Sequence, residues 1–328
     1  MRAVQCNAWG EIADLTLADV PPPSEPGPGQ VAIDVAAAGV NFADLLMVAG
    51  KYQERPMPPF TPGFEIAGRV AAIGPGVTRV KPGDRVLGLL DHGGFAEAVL
   101  ARESDVFVIP RDMDFETAAA FAIAYGTSHG ALVWRARVRP GELLLVLGAA
   151  GGVGLTAVEI GKALGARVIA CAGGAEKLAI ARAHGADYLI DYRNENIRGR
   201  VREIADGGGA DVVYDPVGGE SFDQALRATN WNGRMVVVGF AAGKVQQIPA
   251  NFLLVKNISV HGLYWGSYRR RQPELLPAAF AEMFAWWQAG QLKPLISARF
   301  DLADFRTALD QLAQRKATGK VVLTTGTV

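Results

Sequence analysis

The 328-residue chain has little cysteine and no excess of charge of either sign. Its two cysteines, Cys6 and Cys171, are too few for a disulfide framework or a cysteine-built zinc site. The 33 Lys and Arg balance 33 Asp and Glu, so no overall field favours nucleic acid, a membrane surface or an acidic partner. No apolar run has the length of a membrane span, and the first residues lack the apolar stretch of a signal peptide. We therefore expect a soluble cytoplasmic protein that binds neither nucleic acid nor membranes.

Turn signals and apolar stretches divide the chain into three parts. Up to about residue 117, short strand-like stretches alternate with Pro- and Gly-rich turns, as in VAIDVAAAGV and EIAGRVAAIG. Strands and helices then alternate, which is typical of βαβ units in a parallel doubly wound sheet. Past NISVHGLYW, two amphipathic helices follow. The sequence thus predicts an α/β protein in which a β-rich domain (residues 1–118 and 262–328) surrounds an inserted doubly wound domain (residues 119–261).

A glycine-rich loop, LGAAGGVGLTA at residues 147–157, follows a buried strand and opens a helix. In the dinucleotide fingerprint G-x-G-x-x-G, the first glycine is here Ala149, which a tight turn tolerates if its φ angle stays negative. Gly151 stands where the backbone must approach a pyrophosphate closely, and Gly154 where the helix packs tightly on the strand. The helix amides that begin after Gly152 and Val153 face the phosphates. The loop therefore predicts a dinucleotide site.

The end of the next strand bears on the choice between NAD and NADP. A sheet that prefers NAD places Asp or Glu there, about 20 residues past the loop, to hold the ribose hydroxyls. This chain reads CAGGAEK, with Gly173 and Gly174 where the acid would stand. The missing acid removes repulsion against a 2′-phosphate, while Lys177, Tyr192 and Arg193 offer two cations and a hydroxyl. The pattern favours NADPH, although a lysine in this place is also typical of a solvated helix surface.

Taken together, the motifs are similar to those of the zinc-free, zeta-crystallin-like NADPH:quinone oxidoreductases of the medium-chain dehydrogenase/reductase superfamily. The similarity extends over nearly the whole chain and includes GVNFADLL (39–46), PFTPGFEIAG (59–68), YGTSHGAL (125–132), YDPVGG (214–219) and TGKVVL (318–323). The resemblance implies a GroES-like catalytic domain, a Rossmann domain that binds NADPH, and a cleft between them. It also implies a homodimer joined by edge strands of the two Rossmann sheets.

The same resemblance implies that no metal takes part. Zinc-dependent alcohol dehydrogenases carry a Cys and a His as metal ligands in the motifs that here read GVNFADLL and PGFE, where this chain has Asn41 and Phe64. Glu65 survives from the second motif, and we expect it to be a buried acid with a structural partner. None of the histidines stands in metal-ligand spacing with another: His92, His129, His184 and His261.

The family pattern also assigns roles to single residues. Tyr52 is expected to donate a hydrogen bond or proton to the substrate, supported by Asn41; the alternative is a loop tyrosine packed against PMPPF. Asn41 and Thr127 are expected near the nicotinamide ribose or ring, and for Thr127, Phe240 and Trp265 the alternative is ordinary packing. The other residues expected to bind the cofactor are Ala150, Gly151, Gly152, Val153, Gly173, Gly174, Lys177, Tyr192, Gly239, Phe240, Ala241, Leu263, Tyr264, Trp265, Thr318 and Lys320. The run Arg269–Arg271 is expected to be solvated, and the alternative is that it binds a phosphorylated or acyl-CoA substrate.

Without a metal, hydride addition to a quinone or an activated double bond is easier than oxidation of an alcohol, because the acceptor delocalises the negative charge. The sequence therefore favours an NADPH-dependent quinone reductase. Two alternatives stay open. One is a reductase of α,β-unsaturated carbonyls, either enones or enoyl-CoA thioesters, and the other is an NADPH-binding protein with little catalysis.

Overall fold

A computed structural model describes residues 1–327, which divide into two compact units. The first comprises residues 1–123 and the segment from Pro294 onward, and the second comprises residues 124–293. Within the described residues, no helix has both the length and the apolar character that crossing a bilayer requires.

The observed division differs from the predicted one chiefly for residues 262–293, which the structure groups with the second unit. Two contacts show why. The indole of Trp265 packs against Gly126 and Gly130, where an added Cβ would lie 2.4 and 2.9 Å from the ring. Further along, Glu282 Oε2 lies 2.7 Å from His129 Nε2. The segment is therefore attached to the doubly wound unit, with Trp265 buried against it and the exposed Glu282 bonded to its His129.

The first unit is built on a largely antiparallel sheet, in agreement with the β-rich domain that the sequence predicts. The sheet order is β14-β15-β3-β4-β5-β7, with β6 also paired to β3 and only β14 and β15 parallel to each other; β1 and β2 form a separate antiparallel pair. The strands are β1 (Arg2–Gln5), β2 (Thr16–Asp19), β3 (Gln30–Val40), β4 (Glu65–Ile73), β5 (Arg85–Leu89), β6 (Ala98–Arg102), β7 (Val106–Val108), β14 (Ile296–Asp301) and β15 (Lys320–Thr324). The helices are α1 (Phe42–Val48), α2 (Phe115–Ala119) and α11 (Phe305–Ala313).

The core of the first unit is formed by residues that recur every second position along a strand and every third or fourth position along a helix. Along β3, Val31, Ile33 and Val35 are fully buried, which is the period of two expected for a strand with one face on the core. On α11, Phe305 and Leu309 are also fully buried, one helical turn apart. The strand and the amphipathic helix that the sequence predicts in this unit thus each bury one face in its core.

The second unit is a six-stranded parallel sheet in the order β10-β9-β8-β11-β12-β13. This is the doubly wound order of dinucleotide-binding folds. The strands are β8 (Leu143–Leu147), β9 (Arg167–Ala172), β10 (Tyr188–Asp191), β11 (Ala210–Asp215), β12 (Thr229–Val237) and β13 (Ser259–Gly262). The helices are α3 (Ala122–His129, its first two residues in the first unit), α4 (Gly152–Ala163), α5 (Ala175–Ala183), α6 (Ile197–Ile204), α7 (Gly219–Ala228), α8 (Ala250–Lys256), α9 (Tyr268–Arg271) and α10 (Leu275–Gln288).

The structure of the second unit explains two features of its sequence, the continuous apolar run of β8 and the glycines that follow α4 and α5. All five residues of β8, LLLVL, are buried, as expected for a parallel strand covered on both faces. The helices α4 and α5 are followed by Gly165 and Gly185, whose φ angles of +80° and +104° suit glycine. Every strand of this sheet runs the same way, so the loops after β8, β9, β11 and β12 share one edge.

Candidate functional site

The glycine loop after β8 makes its tight turn at Gly148 rather than at the first fingerprint position. Gly148 has a φ angle of +61°, whereas the φ angle of Ala149 is not positive. Ala149 is fully buried, and its N–H donates to the Cys171 carbonyl at 3.0 Å. The positive φ is thus carried one residue earlier, and this is why alanine is tolerated at position 149.

The two remaining fingerprint glycines have different tasks. A Cβ at Gly154 would lie 2.1 Å from the Gly148 carbonyl oxygen, so only glycine lets α4 pack on the loop. A Cβ at Gly151 would meet the protein only at 3.4 Å, and its φ angle of −81° needs no glycine. The chain itself therefore does not require glycine at 151. A missing side chain there, at the start of a helix with free amides, leaves room for a phosphate.

The end of β9 is crowded by the residues that follow β10. A Cβ at Gly173 would lie 2.7 Å from Tyr192 Oη and 2.8 Å from Arg193 Nε. The side-chain ends of Tyr192 and Arg193, a hydroxyl and a guanidinium group, thus lie beside the position where an NAD-binding sheet carries an acid. Gly174 has a φ angle of +93° where α5 begins, and the half-buried Lys177 lies in the first turn of that helix.

Asp191 connects these two strand ends. Its carboxylate accepts hydrogen bonds from the N–H groups of Arg193 and Gly174, both at 3.1 Å, and from Asn194 Nδ2 at 2.9 Å. These bonds, led by the one from the Arg193 N–H, lower the pKa of Asp191. The ionised carboxylate thereby holds the loop that carries Tyr192 and Arg193 beside Gly174.

A second buried acid shapes the loops after β11 and β12. Asp215 is fully buried and accepts the N–H groups of Val217 and Gly218, both at 2.8 Å; burial raises its pKa to about 6. The backbone after β12 runs beside this loop, because the Ala241 N–H donates to the Pro216 carbonyl at 3.1 Å. The predicted cofactor residues Gly239, Phe240 and Ala241 therefore lie at the same sheet edge as the glycine loop. Phe240 is 38 % exposed, so it is not a core aromatic.

The first unit holds a buried cluster of charged and polar side chains. The three protons of Lys320 Nζ meet three oxygen atoms: Glu65 Oε1 at 2.7 Å, Asn41 Oδ1 at 2.7 Å and the Val40 carbonyl at 3.0 Å. Asn41 Nδ2 also donates to Glu65 Oε1, at 2.8 Å. The other Glu65 oxygen accepts the Ile123 N–H at 2.7 Å. Glu65 thus has the structural partner that the sequence analysis expected, 255 positions away.

These bonds orient the side chain of Asn41. An ammonium group only donates, so the Asn41 oxygen must face Lys320 and its amide nitrogen must face Glu65. Because all three Lys320 protons are used, its direct binding of a cofactor, which we predicted, has no support in this geometry. Lys320 instead holds Asn41 and Glu65 in place.

Asp44 lies beside this cluster and is fully buried. It accepts the N–H groups of Asn41 at 2.7 Å and Gly63 at 3.1 Å. Burial, with a smaller contribution from the negative charge of Glu65, raises its pKa to about 7, against the opposing effect of these bonds and of Lys320. Asp44 was not among the predicted site residues. Its signal is local, since an acid three residues after Asn41 is the spacing at which a side chain reaches back to a helix start.

Tyr52 lies in the same unit and is half-buried. Its ring is 5.2 Å from the Phe64 ring, centroid to centroid, at an interplanar angle of 59°. Phe64 precedes Glu65 in the chain, so Tyr52 is held near the buried cluster. Phe64 is thus one packing partner of Tyr52; both its catalytic role and its packing against PMPPF stay predictions.

The remaining predicted residues fall into two groups. Trp265 is 5 % exposed and packed against Gly126 and Gly130, and its Nε1 has no acceptor among the described residues. These are the contacts of a core aromatic, the alternative stated above. The others lie on α3, just after β13, or just before β15, with burial ranging from nearly complete to partial: Thr127, Leu263, Tyr264 and Thr318.

Comparison with known proteins agrees with both units. A family described as zinc-binding dehydrogenase matches residues 152–282, and one described as alcohol dehydrogenase GroES-like domain matches residues 27–111. A quinone oxidoreductase-like protein 2 homolog of Nematostella vectensis is 44% identical over 99% of this chain and 89% of its own. A quinone oxidoreductase of Pseudomonas aeruginosa is 37% identical over 98% of this chain and 99% of its own. The crystal structure of Escherichia coli quinone oxidoreductase complexed with NADPH has a TM-score of 0.92 at 29% identity, covering 99% of this chain and 100% of that one.

The residues of this chain do not fit the zinc ion that one of these family descriptions names. Zn²⁺ takes three or four His, Cys or carboxylate ligands, and no such group of three occurs within residues 1–327. At the equivalent motifs, Phe64 offers no donor atom and Asn41 is bonded to Glu65 and Lys320. The Lys320 ammonium already supplies the positive charge beside Glu65.

Proposed function

The chain belongs to the medium-chain dehydrogenase/reductase family of the quinone oxidoreductases, and we propose that it is an NADPH-dependent enzyme that reduces quinones without a metal. The observation that carries the proposal is the crowding of Gly173 by Tyr192 and Arg193. The chain has glycine where an NAD-binding sheet uses an acid, and a cation and a hydroxyl lie beside that position.

The second unit offers groups for each anionic part of NADPH. The pyrophosphate fits the loop at Gly151, where no side chain intrudes and the amides of α4 begin. For the 2′-phosphate we propose Lys177, Tyr192 and Arg193, whose charge and hydroxyl suit a dianion. When bound, NADPH supplies a hydride.

For the acceptor we propose Tyr52 as the proton donor and Asn41 as a fixed polar contact. A quinone that receives a hydride develops negative charge on oxygen, which a phenol hydroxyl stabilises by a hydrogen bond or proton. Asn41 is 9 % exposed and held by Lys320 and Glu65, so its second Oδ1 lone pair has a constant direction. In this scheme the buried cluster supplies orientation rather than chemistry.

We further propose a homodimer in a cytoplasmic location. β13 is the edge strand of the parallel sheet, and an unpaired edge is able to pair with a second copy. Both cysteines are free and buried, which suits a reducing compartment. Sedimentation at several concentrations tests the dimer, and a monomer at all of them contradicts it.

The activity is tested by following NADPH and NADH oxidation with 1,4-benzoquinone, 9,10-phenanthrenequinone, a simple enone and crotonyl-CoA, with and without a chelator. We expect chelator-resistant turnover of the quinones that prefers NADPH. Turnover of the enone or crotonyl-CoA alone would place the protein among the alkene reductases. NADPH binding without turnover of any acceptor would indicate a binding protein.

The cofactor assignment is tested with Lys177→Ala, using Lys81→Ala as the matched control because Lys81 is exposed in the other unit. A lost charge-assisted contact to the 2′-phosphate is expected to weaken NADPH about tenfold or more while NADH changes little. Equal losses for both cofactors would contradict the role of Lys177.

A further inference from the structure

Two helices of the second unit, α3 and α4, are joined by hydrogen bonds from polar side chains. Thr156 Oγ1 on α4 donates to the Ala124 carbonyl of α3 at 3.1 Å. Three residues further along α4, Glu159 Oε2 accepts the Tyr125 hydroxyl at 2.5 Å. Glu159 is 2 % exposed and Tyr125 is 1 % exposed. This pair therefore lies in the interior of the unit, where a hydrogen bond is stronger than in water and costly to lose.

The carboxylate of Glu159 is bonded to three segments that are distant in the chain. Besides the Tyr125 hydroxyl on α3, it accepts the Lys293 N–H after α10 at 3.1 Å, and its Oε1 lies 2.6 Å from His184 Nδ1 at the end of α5. Burial, and then the negative charge of Glu159, raise the pKa of Tyr125 well above its ordinary value, so the hydroxyl keeps its proton and donates the hydrogen bond. Glu159 is therefore a buried acceptor that holds these three segments against α4.

Helix α4 links the bond between Glu159 and Tyr125 to the glycine loop. The helix begins at Gly152, directly after Gly151, where we propose that the pyrophosphate binds, and it continues to Ala163. Glu159 therefore lies about 12 Å along the helix axis from Gly151. Because the backbone of one helix is continuous over this length, the bond to Tyr125 keeps α3 at a defined distance from the loop.

Helix α3 carries Thr127, which we expect near the nicotinamide ribose or ring. Thr127 is 9 % exposed and follows Tyr125 by two positions, so the two side chains leave the helix in nearly opposite directions. Gly126, between them, packs against the indole of Trp265, which closely follows Leu263, another residue expected to bind the cofactor. A shift of α3 would therefore move Thr127 relative both to α4 and to the loop after β13.

We propose that Glu159 is a positioning residue for the nicotinamide end of NADPH. Through the Tyr125 hydroxyl it sets the place of α3, and so of Thr127, relative to the glycine loop. The nicotinamide and the pyrophosphate belong to one molecule, so the groups that bind them must stand at a matching distance, and ordering them only on binding would cost affinity. The proposal rests on the proposed place of Thr127 and does not depend on which acceptor is reduced.

The test is calorimetric titration of two ligands, NADPH and adenosine 2′,5′-bisphosphate, which has the adenosine and its 2′-phosphate but no nicotinamide. Tyr125→Phe removes the donor and keeps the ring, and Glu159→Met removes the carboxylate and keeps most of its volume. Each is expected to weaken NADPH about three- to tenfold, the equivalent of one hydrogen bond, and to leave the bisphosphate unchanged. A merely structural role would not separate the two ligands, because a loss of stability does not distinguish one end of the cofactor from the other.

Variants of the same network serve as matched controls. His184→Ala removes a bond of Glu159 that does not hold α3, and because the His184 side chain is 13 % exposed, water replaces it; both affinities are expected to stay at the wild-type values. Glu159→Gln keeps an oxygen for the Lys293 N–H and turns its amide towards the Tyr125 hydroxyl, which accepts as well as donates, so NADPH affinity should recover relative to Glu159→Met. Lys177→Ala, at the proposed 2′-phosphate site, is expected to weaken both ligands.

Three outcomes would overturn the proposal. The first is unchanged NADPH affinity in Tyr125→Phe, the variant that disturbs the packing least. The second is an equal loss for NADPH and the bisphosphate, which would make the network a general support of the fold. The third is a loss in His184→Ala as large as that in Tyr125→Phe, which would show that Glu159 does not act through α3. Quinone turnover enters none of these measurements, so failure here is distinct from failure of the proposed function.

Discussion

The polar core of the first unit and the glycine loop of the second satisfy their polar groups in opposite ways. Around Lys320, every ammonium proton meets a protein oxygen, and Glu65 and Asn41 are bonded to one another. At Gly151, the chain leaves an empty Cβ position and the unpaired amides of a helix start. The polar groups of the first region are all satisfied by protein atoms, whereas the amides of the second need a ligand or water as their hydrogen-bond partner.

This difference separates positioning from binding. Burying a charge is tolerable only when it is paired and hydrogen-bonded, so the closed cluster sets the direction of Asn41 at a cost that its own bonds offset. Unpaired amides at a helix start are satisfied by water until an anion replaces it. Substitutions in the closed cluster should therefore act on stability, and substitutions at Gly151 should act on ligand affinity.

The largest effect is expected for Lys320→Met, which leaves the buried Glu65 without its cation. Breaking one partner of a buried pair costs about 3–5 kcal/mol, because the remaining charge is uncompensated. The measurement is the free energy of unfolding in urea. The double variant Lys320→Met/Glu65→Gln removes both charges and should recover most of the loss. Equal losses in the single and double variants would show that the pair does not act as a unit.

The pH dependence of stability should identify Asp44. Its pKa in the folded protein is about 7, above the ordinary value near 3.9, so the folded state binds the extra proton. This contribution is complete below about pH 4 and is lost as pH rises through 7, by at most about 4 kcal/mol. Asp44→Asn removes it. The difference in the free energy of unfolding between wild type and variant, measured in urea, should therefore decrease from pH 4.5 to pH 8. A difference that does not change with pH would contradict the raised pKa of Asp44.

The two fingerprint glycines separate fold from binding within one loop. Gly154→Ala places a Cβ 2.1 Å from a backbone oxygen and is expected to lower stability by about 1–3 kcal/mol. Gly151→Ala meets the protein only at 3.4 Å and should leave the melting temperature nearly unchanged while weakening NADPH. Melting curves and NADPH titrations on both variants distinguish the two roles. A destabilised Gly151→Ala with normal NADPH affinity would reverse the assignment.

Local patterns in the sequence were sufficient for the parallel sheet and its glycine loop. The glycines after α4 and α5 and the continuous apolar run of β8 are features of neighbouring residues. The same holds for the absence of an Asp or Glu at position 173, where the chain has glycine. In each case the signal in the sequence lies within a few positions of the residue concerned, although the groups that lie beside Gly173 come from the end of β10.

Contacts between distant positions were not readable in this way. Lys320 and Glu65 are 255 positions apart, and nothing near either residue indicates the other. An amphipathic helix such as α10 has a buried face whichever unit it joins, so the pattern alone did not assign it to the second unit. Arg269, predicted to be solvated from the run of three arginines, is 7 % exposed, because composition does not say which member of a run turns inward.

The smallest effect is expected in the uncharged network beneath the glycine loop. Ser128 Oγ lies 2.8 Å from the Val153 carbonyl and from Thr156 Oγ1, and 3.0 Å from Tyr214 Oη. Ser128→Ala leaves the buried Tyr214 hydroxyl without this partner, at about 1–2 kcal/mol in urea unfolding, since no charge is left unpaired. Tyr214→Phe should then cost less in the Ser128→Ala background than in the wild type. If the losses of unfolding free energy in the two single variants simply add in the double variant, the two hydroxyls are not coupled. If Ser128→Ala loses as much unfolding free energy as Lys320→Met, the contrast between the charged and the uncharged network is wrong.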